Sequence, residues 1–146
     1  MSGMAESERF IKELMEEFEN KGFMVNRRGF IEGISGIRHY FDIILEDPKS
    51  GRKIAFSLTD RIRYEHVLSI LAMRIDSDTP HVIVANEVEP SIEELLRKYN
   101  VFTISFNRPK FSMLMSLPTK DIKQFTKMVT SEILRFLSTI SGGSVT

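Results

Sequence analysis

Eight basic side chains, Arg27, Arg28, Arg38, Lys49, Arg52, Lys53, Arg61 and Arg63, crowd into residues 22–63 of a chain whose 20 basic and 20 acidic residues cancel. Their chemistry would be phosphate contact, which is independent of base sequence and sensitive to salt. Ser35 lies among them in a GISG segment. That segment lacks the strand-turn-helix setting of a nucleophile elbow. It reads as a glycine-rich turn whose successive backbone N–H groups suit an anion. The three histidines, His39, His66 and His81, have no metal-ligand spacing. His39 falls on the opposite strand face from Asp42, three residues on, and structural roles are expected for all three. The chain contains no cysteine, which excludes disulfides and thiolate metal sites.

Charge is distributed in blocks. Residues 1–21 carry a net −3, residues 22–63 a net +3, residues 64–106 a net −4 and residues 107–146 a net +4. A protein dedicated to coating DNA is usually basic overall. A mixed-sign surface serving solubility accounts for much of this pattern, and a basic face built from the second and fourth blocks is the alternative. A length of 146 residues with 42% apolar and 27% charged side chains suits one domain with one core. No apolar run approaches the ~20 residues of a membrane helix. The N-terminus is polar and acidic rather than signal-like, so the expectation is a cytoplasmic protein with no membrane partner.

The elements that must position these residues follow from periodicity. Phe10, Ile11, Leu14, Met15 and Phe18 share a helical face over 5–21, closed by Gly22. Extended segments are expected at 22–28, 38–46 and 53–59, the last two forming a hairpin about the turn at 47–51 (DPKSG). A helix over 61–76 follows, with Asp60 as its cap. Residues 81–85 (HVIVA) read as a buried strand, Ser91 and Glu94 as a capping box, and 101–106 (VFTISF) as a further strand. The stretch 80–106 is thus a parallel, right-handed βαβ unit. A loop over 108–118 and a helix over 119–140 complete a single domain, 1–140, with a flexible tail at 141–146.

This order, α-β-β-β-α-β-α-β-α, together with the segment GISGIRHYFDII at 33–44, resembles the PD-(D/E)XK restriction-endonuclease-like superfamily. Archaeal Holliday-junction resolvases and Mrr-type restriction enzymes belong to it. The resemblance covers residues 5–106 and implies an α/β fold with a mixed β-sheet flanked by helices. It also implies a Mg²⁺ site with an Asp from the second strand and a Glu/Asp-x-Lys pair from the third. Asp42 stands at the first position, as the metal-binding remnant. Alignment of the hairpin puts Ser57 and Thr59 where the family has its acid and its lysine. A neutral hydroxyl is a weak Mg²⁺ ligand, and threonine carries no charge. Glu13, Asp60 and Glu65 are candidates for relocated carboxylates, and Arg61 or Arg63 for the missing charge.

The expected function is therefore a degenerate, non-catalytic nuclease-like domain that binds nucleic acid or a protein partner and takes no cofactor. Arg38, Arg52, Lys53, Arg61 and Arg63 would make weak electrostatic contacts to nucleic acid. One alternative is a divergent Mg²⁺-dependent endonuclease. Another is a homodimeric regulatory or assembly domain that never touches nucleic acid, with Phe111, Met113, Met115 and helix 119–140 as its contact surface.

Overall fold

A computed structural model of the protein describes residues 2–105 and 122–145. Helix α1 (Ser2–Asn20) ends at Gly22, whose φ of +92° suits glycine at a helix stop. Strands β1 (Met24–Arg27), β2 (Phe30–Glu32), β3 (Arg38–Tyr40), β4 (Ile43–Glu46) and β5 (Lys53–Ile62) come next, then α2 (Tyr64–Ser77). The chain continues through β6 (His81–Val88), α3 (Pro90–Arg97), β7 (Val101–Ser105) and α4 (Ile122–Val145). The helix α4 passes residue 140, where the sequence reading stops it. The expected loop at 108–118, with Phe111, Met113 and Met115, lies outside the described residues.

The fold is α/β, a mixed five-stranded sheet in the order β1-β4-β5-β6-β7 with helices on both faces. β5, β6 and β7 are mutually parallel, and β4 is antiparallel to β5, as the hairpin and the βαβ unit require. α1 and α4 cover one face. Phe10, Leu14 and Phe18 from α1 and Val129, Ile133 and Phe136 from α4 pack there against Ile43, Leu45, Ile54, Phe56, Val82, Val84, Phe102 and Ile104. α2 and α3 cover the other, where Val67, Ile92 and Leu96 meet Ile83, Ala85 and Val101. None of the helices among the described residues is long and apolar enough to cross a membrane.

The stretch 38–46 is two strands, not the one expected. β3 pairs with a strand that sequence reading missed, β2, in a separate two-stranded sheet. The register explains why. Arg27 faces Ile43 and Phe30 faces Tyr40, so β1–β2 and β3–β4 are the two arms of a single antiparallel hairpin in one register. At the break, Arg28 adopts a left-handed φ of +56°. Its N–H still donates to the Asp42 carbonyl at 2.8 Å, and the Phe41 N–H to the Gly29 carbonyl at 3.0 Å. The hairpin therefore kinks without slipping, and its far half leaves the main sheet to fold over α2.

A second correction concerns Asp60. It is a strand residue rather than a helix cap, because β5 keeps pairing with β6 as far as Ile62 and Val88. α2 starts two residues later, with Arg63 as its N-cap; there the Arg63 N–H donates to His66 Nδ1 at 3.0 Å. Ser91 is likewise not a cap. Glu89 holds that position on α3, Pro90 fills the first turn, and the Ser91 hydroxyl bonds that of Tyr64 at 2.6 Å.

A polar cleft beneath the bent hairpin

Strand alternation dictates where Asp42, Ser57 and Thr59 point. Ile43 pairs with Phe56 toward α1 and α4, so Asp42, Ser57 and Thr59, each one or three residues away, face the α2 side. All three line one cleft of about 700 Å³. Arg28 and Tyr40 enter it from the bent hairpin, Arg61 from the end of β5, and His66 and Ser69 from α2. Its floor is apolar, formed by Phe41, Ile62, Ile70, Met73 and Ile83.

Asp42 is already engaged. Its Oδ2 accepts a hydrogen bond from the Leu58 N–H at 2.8 Å, and Arg27 Nη1 stands 3.9 Å from its Oδ1. The side chain thus satisfies a β5 donor where the β4 ladder ends. Arg27 also binds the Asp42 carbonyl at 3.1 Å and reaches Glu8 at 2.8 Å. The other carboxylates nominated by sequence do not join Asp42. Asp60 points to the rim, accepting from Asn86 Nδ2 at 2.7 Å. Glu65 lies in the first turn of α2 and lines a neighbouring cleft with Arg63, Glu87 and Glu89. Glu13 belongs to α1, on the opposite side of the sheet. Mg²⁺ is held through oxygen ligands of which one or two are carboxylates. Among the described residues Asp42 is the one carboxylate in the cleft lining, and its Oδ2 is taken by the Leu58 N–H, which leaves a poor Mg²⁺ donor set among neutral hydroxyls.

The basic residues divide. Arg28 and Arg61 line the cleft, and Arg61 is 3.3 Å from Glu87. Arg63 borders the neighbouring cleft. Arg52 and Lys53 sit at the other end of β5 in a separate pocket with Arg74, and Lys53 is 3.9 Å from Glu46. Eight residues of strand separate Lys53 from Arg61, about 26 Å at the usual rise. They therefore lie at opposite ends of the strand. Arg38 lies on the bent hairpin with its guanidinium 4.7 Å from the centre of the Phe30 ring.

The residue that sequence reading passed over is Asp76. At the end of α2 it gathers three bonds from the hairpin. Its carboxylate accepts from the Ser35 N–H at 2.8 Å, the Ser35 hydroxyl at 2.7 Å and His39 Nε2 at 2.6 Å. Its carbonyl accepts from the Ile34 N–H at 2.8 Å. These hydrogen bonds hold the Asp76 carboxyl below its ordinary pKa, the one from His39 contributing most. A Cβ on Gly33 would overlap the carboxylate, so any side chain there would push Asp76 out of these bonds. The GISG turn is therefore a latch closing the hairpin onto α2. The Ser35 N–H and hydroxyl serve the protein's own carboxylate.

Two further features stand out near the cleft. His81 is buried beneath it, 3.2 Å from the Ser77 hydroxyl and edge-on to Phe41. Burial pushes its pKa down to about 4, with Arg74 and His39 adding to the effect. On the outer side of α2, Tyr64, Leu68 and Ile75 are 61%, 80% and 61% exposed, in register with Ala72 along one stripe.

No family model matches the chain. It is 34% identical over 93 residues, 64% of its length, to an uncharacterized protein of the archaeon Archaeoglobus fulgidus, of which the match covers 72%.

Proposed function

The chain belongs to the same family as that archaeal protein, and from this premise we propose that it is a non-catalytic nuclease-like domain that holds the phosphate backbone of nucleic acid in the cleft beneath the bent hairpin. The observation that supports the reading is the lining. Arg28, Arg61 and His66, with the hydroxyls of Tyr40, Ser57, Thr59 and Ser69, surround one carboxylate that is itself occupied. The two guanidiniums are donors only, and each hydroxyl can turn its one O–H toward a phosphate oxygen. Under the superfamily resemblance, Ser57 and Thr59 stand where its acid and lysine would be, and neither can hold a metal or activate a water as those do.

The test is fluorescence anisotropy of a labelled oligonucleotide across a salt series. Binding is expected to be weak and independent of base sequence. Changing Arg28 and Arg61 together to Ala should flatten the slope of log K against log salt by about 1.5. An unchanged slope, or a loss confined to one sequence, would overturn the proposal.

The superfamily resemblance has its own test. Ser57→Glu with Thr59→Lys would add a carboxylate and an ammonium on the side of the sheet that Asp42 faces. By calorimetry the double variant should bind Mn²⁺ at least tenfold more tightly than the wild type, which should bind it poorly. Full nuclease activity is not expected, since such sites need placement to about 0.5 Å. Tight binding by the wild type would instead favour a divergent Mg²⁺ nuclease.

A second reading, a homodimeric assembly domain, is favoured by the apolar stripe on α2. Leu68→Glu should then halve the mass measured by light scattering at tens of micromolar. A wild-type monomer at that concentration would dismiss it.

A further inference from the structure

The outward face of the bent hairpin carries Phe30, Glu32, Arg38 and Tyr40, and its inward face Ile31 and His39. Ile31 packs against the core beside Met73 and His39 is bound to Asp76, so the inward face fixes the hairpin. The outward face has no such task. Phe30 and Tyr40 are directly opposite in register, with ring centres 5.6 Å apart. They remain 45% and 65% exposed. Cross-strand packing accounts for their contact with each other. It does not account for two aromatic rings left open to water, one of which, Tyr40, lines the polar cleft.

We infer that the Phe30–Tyr40 pair is a base-stacking platform and that the nucleic acid held by this protein is single-stranded; the inference rests on the cleft reading above. Bases in a duplex are stacked on one another, and their faces are closed to side chains. Bases in a single strand are open, and each has a π-face that an aromatic ring can cover. Arg38 already stacks on Phe30, so the platform has a cationic partner of the kind that accompanies such sites. Glu32, the acidic residue of this face, stands directly across from Arg38, which offsets its charge toward a polyanion. Tyr40 also lines the cleft that contains Arg28 and Arg61. Base-stacking and phosphate-binding groups therefore share one continuous surface.

The experiment compares a labelled 20-nucleotide single strand of mixed sequence, its ribonucleotide counterpart and the corresponding DNA duplex, by anisotropy at low salt. The variants are Tyr40→Leu, which keeps apolar bulk without a π-face, and Tyr40→Phe, which keeps the ring. Single strands are expected to bind at least tenfold more tightly than duplex, with the deoxy and ribo strands assigning the preferred sugar. Tyr40→Leu should weaken single-strand binding about tenfold, and Tyr40→Phe, which keeps the ring and loses one cleft hydroxyl, should weaken it no more than about threefold. Equal affinity for single strand and duplex, with Tyr40→Leu silent and the Arg28/Arg61 double variant weakened on both, would overturn the inference and keep the cleft reading. Equal loss on both ligands in Tyr40→Leu would make Tyr40 a prop of the cleft wall, and would also overturn it. Absence of binding to all three would remove the cleft reading and this inference together.

Discussion

Lowering the pH from 7 to 4 is expected to cost the fold about 3 kcal/mol through His81 alone. In the unfolded chain this imidazole takes up a proton near its ordinary pKa of 6.5, whereas in the fold it does so at about 4. Between those values the unfolded state binds more protons, so stability rises with pH through the window and falls as acid is added. The contribution is complete above pH 6.5 and exhausted below about 4. The cause is structural. His81 is 3% exposed, so charging it would strip the imidazolium of water, and Arg74 and His39 nearby add to the opposition. Urea denaturation at pH 7, 5 and 4 measures the loss, and His81→Leu should remove most of the slope between pH 7 and 5. A variant with the wild-type slope would show that other groups carry it. The latch carboxylate acts in an adjacent window. Asp76 has a lowered pKa, so its contribution is lost only as pH falls further, below the ordinary carboxylate range.

Phe56→Ala should destabilise the domain by about 3–5 kcal/mol, comparable to the larger core truncations known. Phe56 is fully buried on β5, the middle strand of the sheet, and its ring lies 6.3 Å from that of Phe10 on α1. Removing it leaves a cavity between sheet and helix that the other core side chains cannot fill without leaving their rotamers. Chemical denaturation at pH 7 should show the midpoint falling while the slope with denaturant stays constant. A loss below about 1 kcal/mol would mean that α1 closes onto the sheet and fills the gap.

The parts of the fold governed by local pattern were legible. The 3.6-residue period of Phe10, Leu14 and Phe18, the continuous apolar run at 81–85 and the DPKSG turn each announce their element. What sequence concealed was set by partners far along the chain. Residues 38–46 have unbroken strand character, and nothing local marks the break at Phe41 and Asp42. It is fixed by bonds to Gly29 and Arg28 on the opposite arm and to Leu58 on β5. β2 is three residues long between two glycines, too short to show a period. Asp60 looked like a cap because its residue type is right and a helix is near. Pairing of Arg61 and Ile62 with β6 outweighs that local preference. The same division holds at the cleft. Parity placed Asp42, Ser57 and Thr59 on one side of the sheet, because side-chain alternation is local. Of the eight basic residues, Arg28 and Arg61 line the cleft while Arg52 and Lys53 lie at the other end of β5, because nearness in sequence along an extended strand is distance in space. Asp76 went unread because Ser35 and His39, which supply its three carboxylate bonds, lie about 40 residues upstream.

The kink at Arg28 also bears on how this protein behaves when crowded. Among the described residues β1 is the outer strand on its side of the sheet, and a free strand edge is a template on which another chain can grow. Here the template is four residues long, about 13 Å, and it carries Arg27 at its end. Just beyond, the left-handed turn of Arg28 swings the backbone out of the plane that a foreign strand would have to follow. The bend that hangs a wall over the cleft therefore also blunts this rim against edge-to-edge aggregation, so concentrated solutions should resist fibril growth from this side.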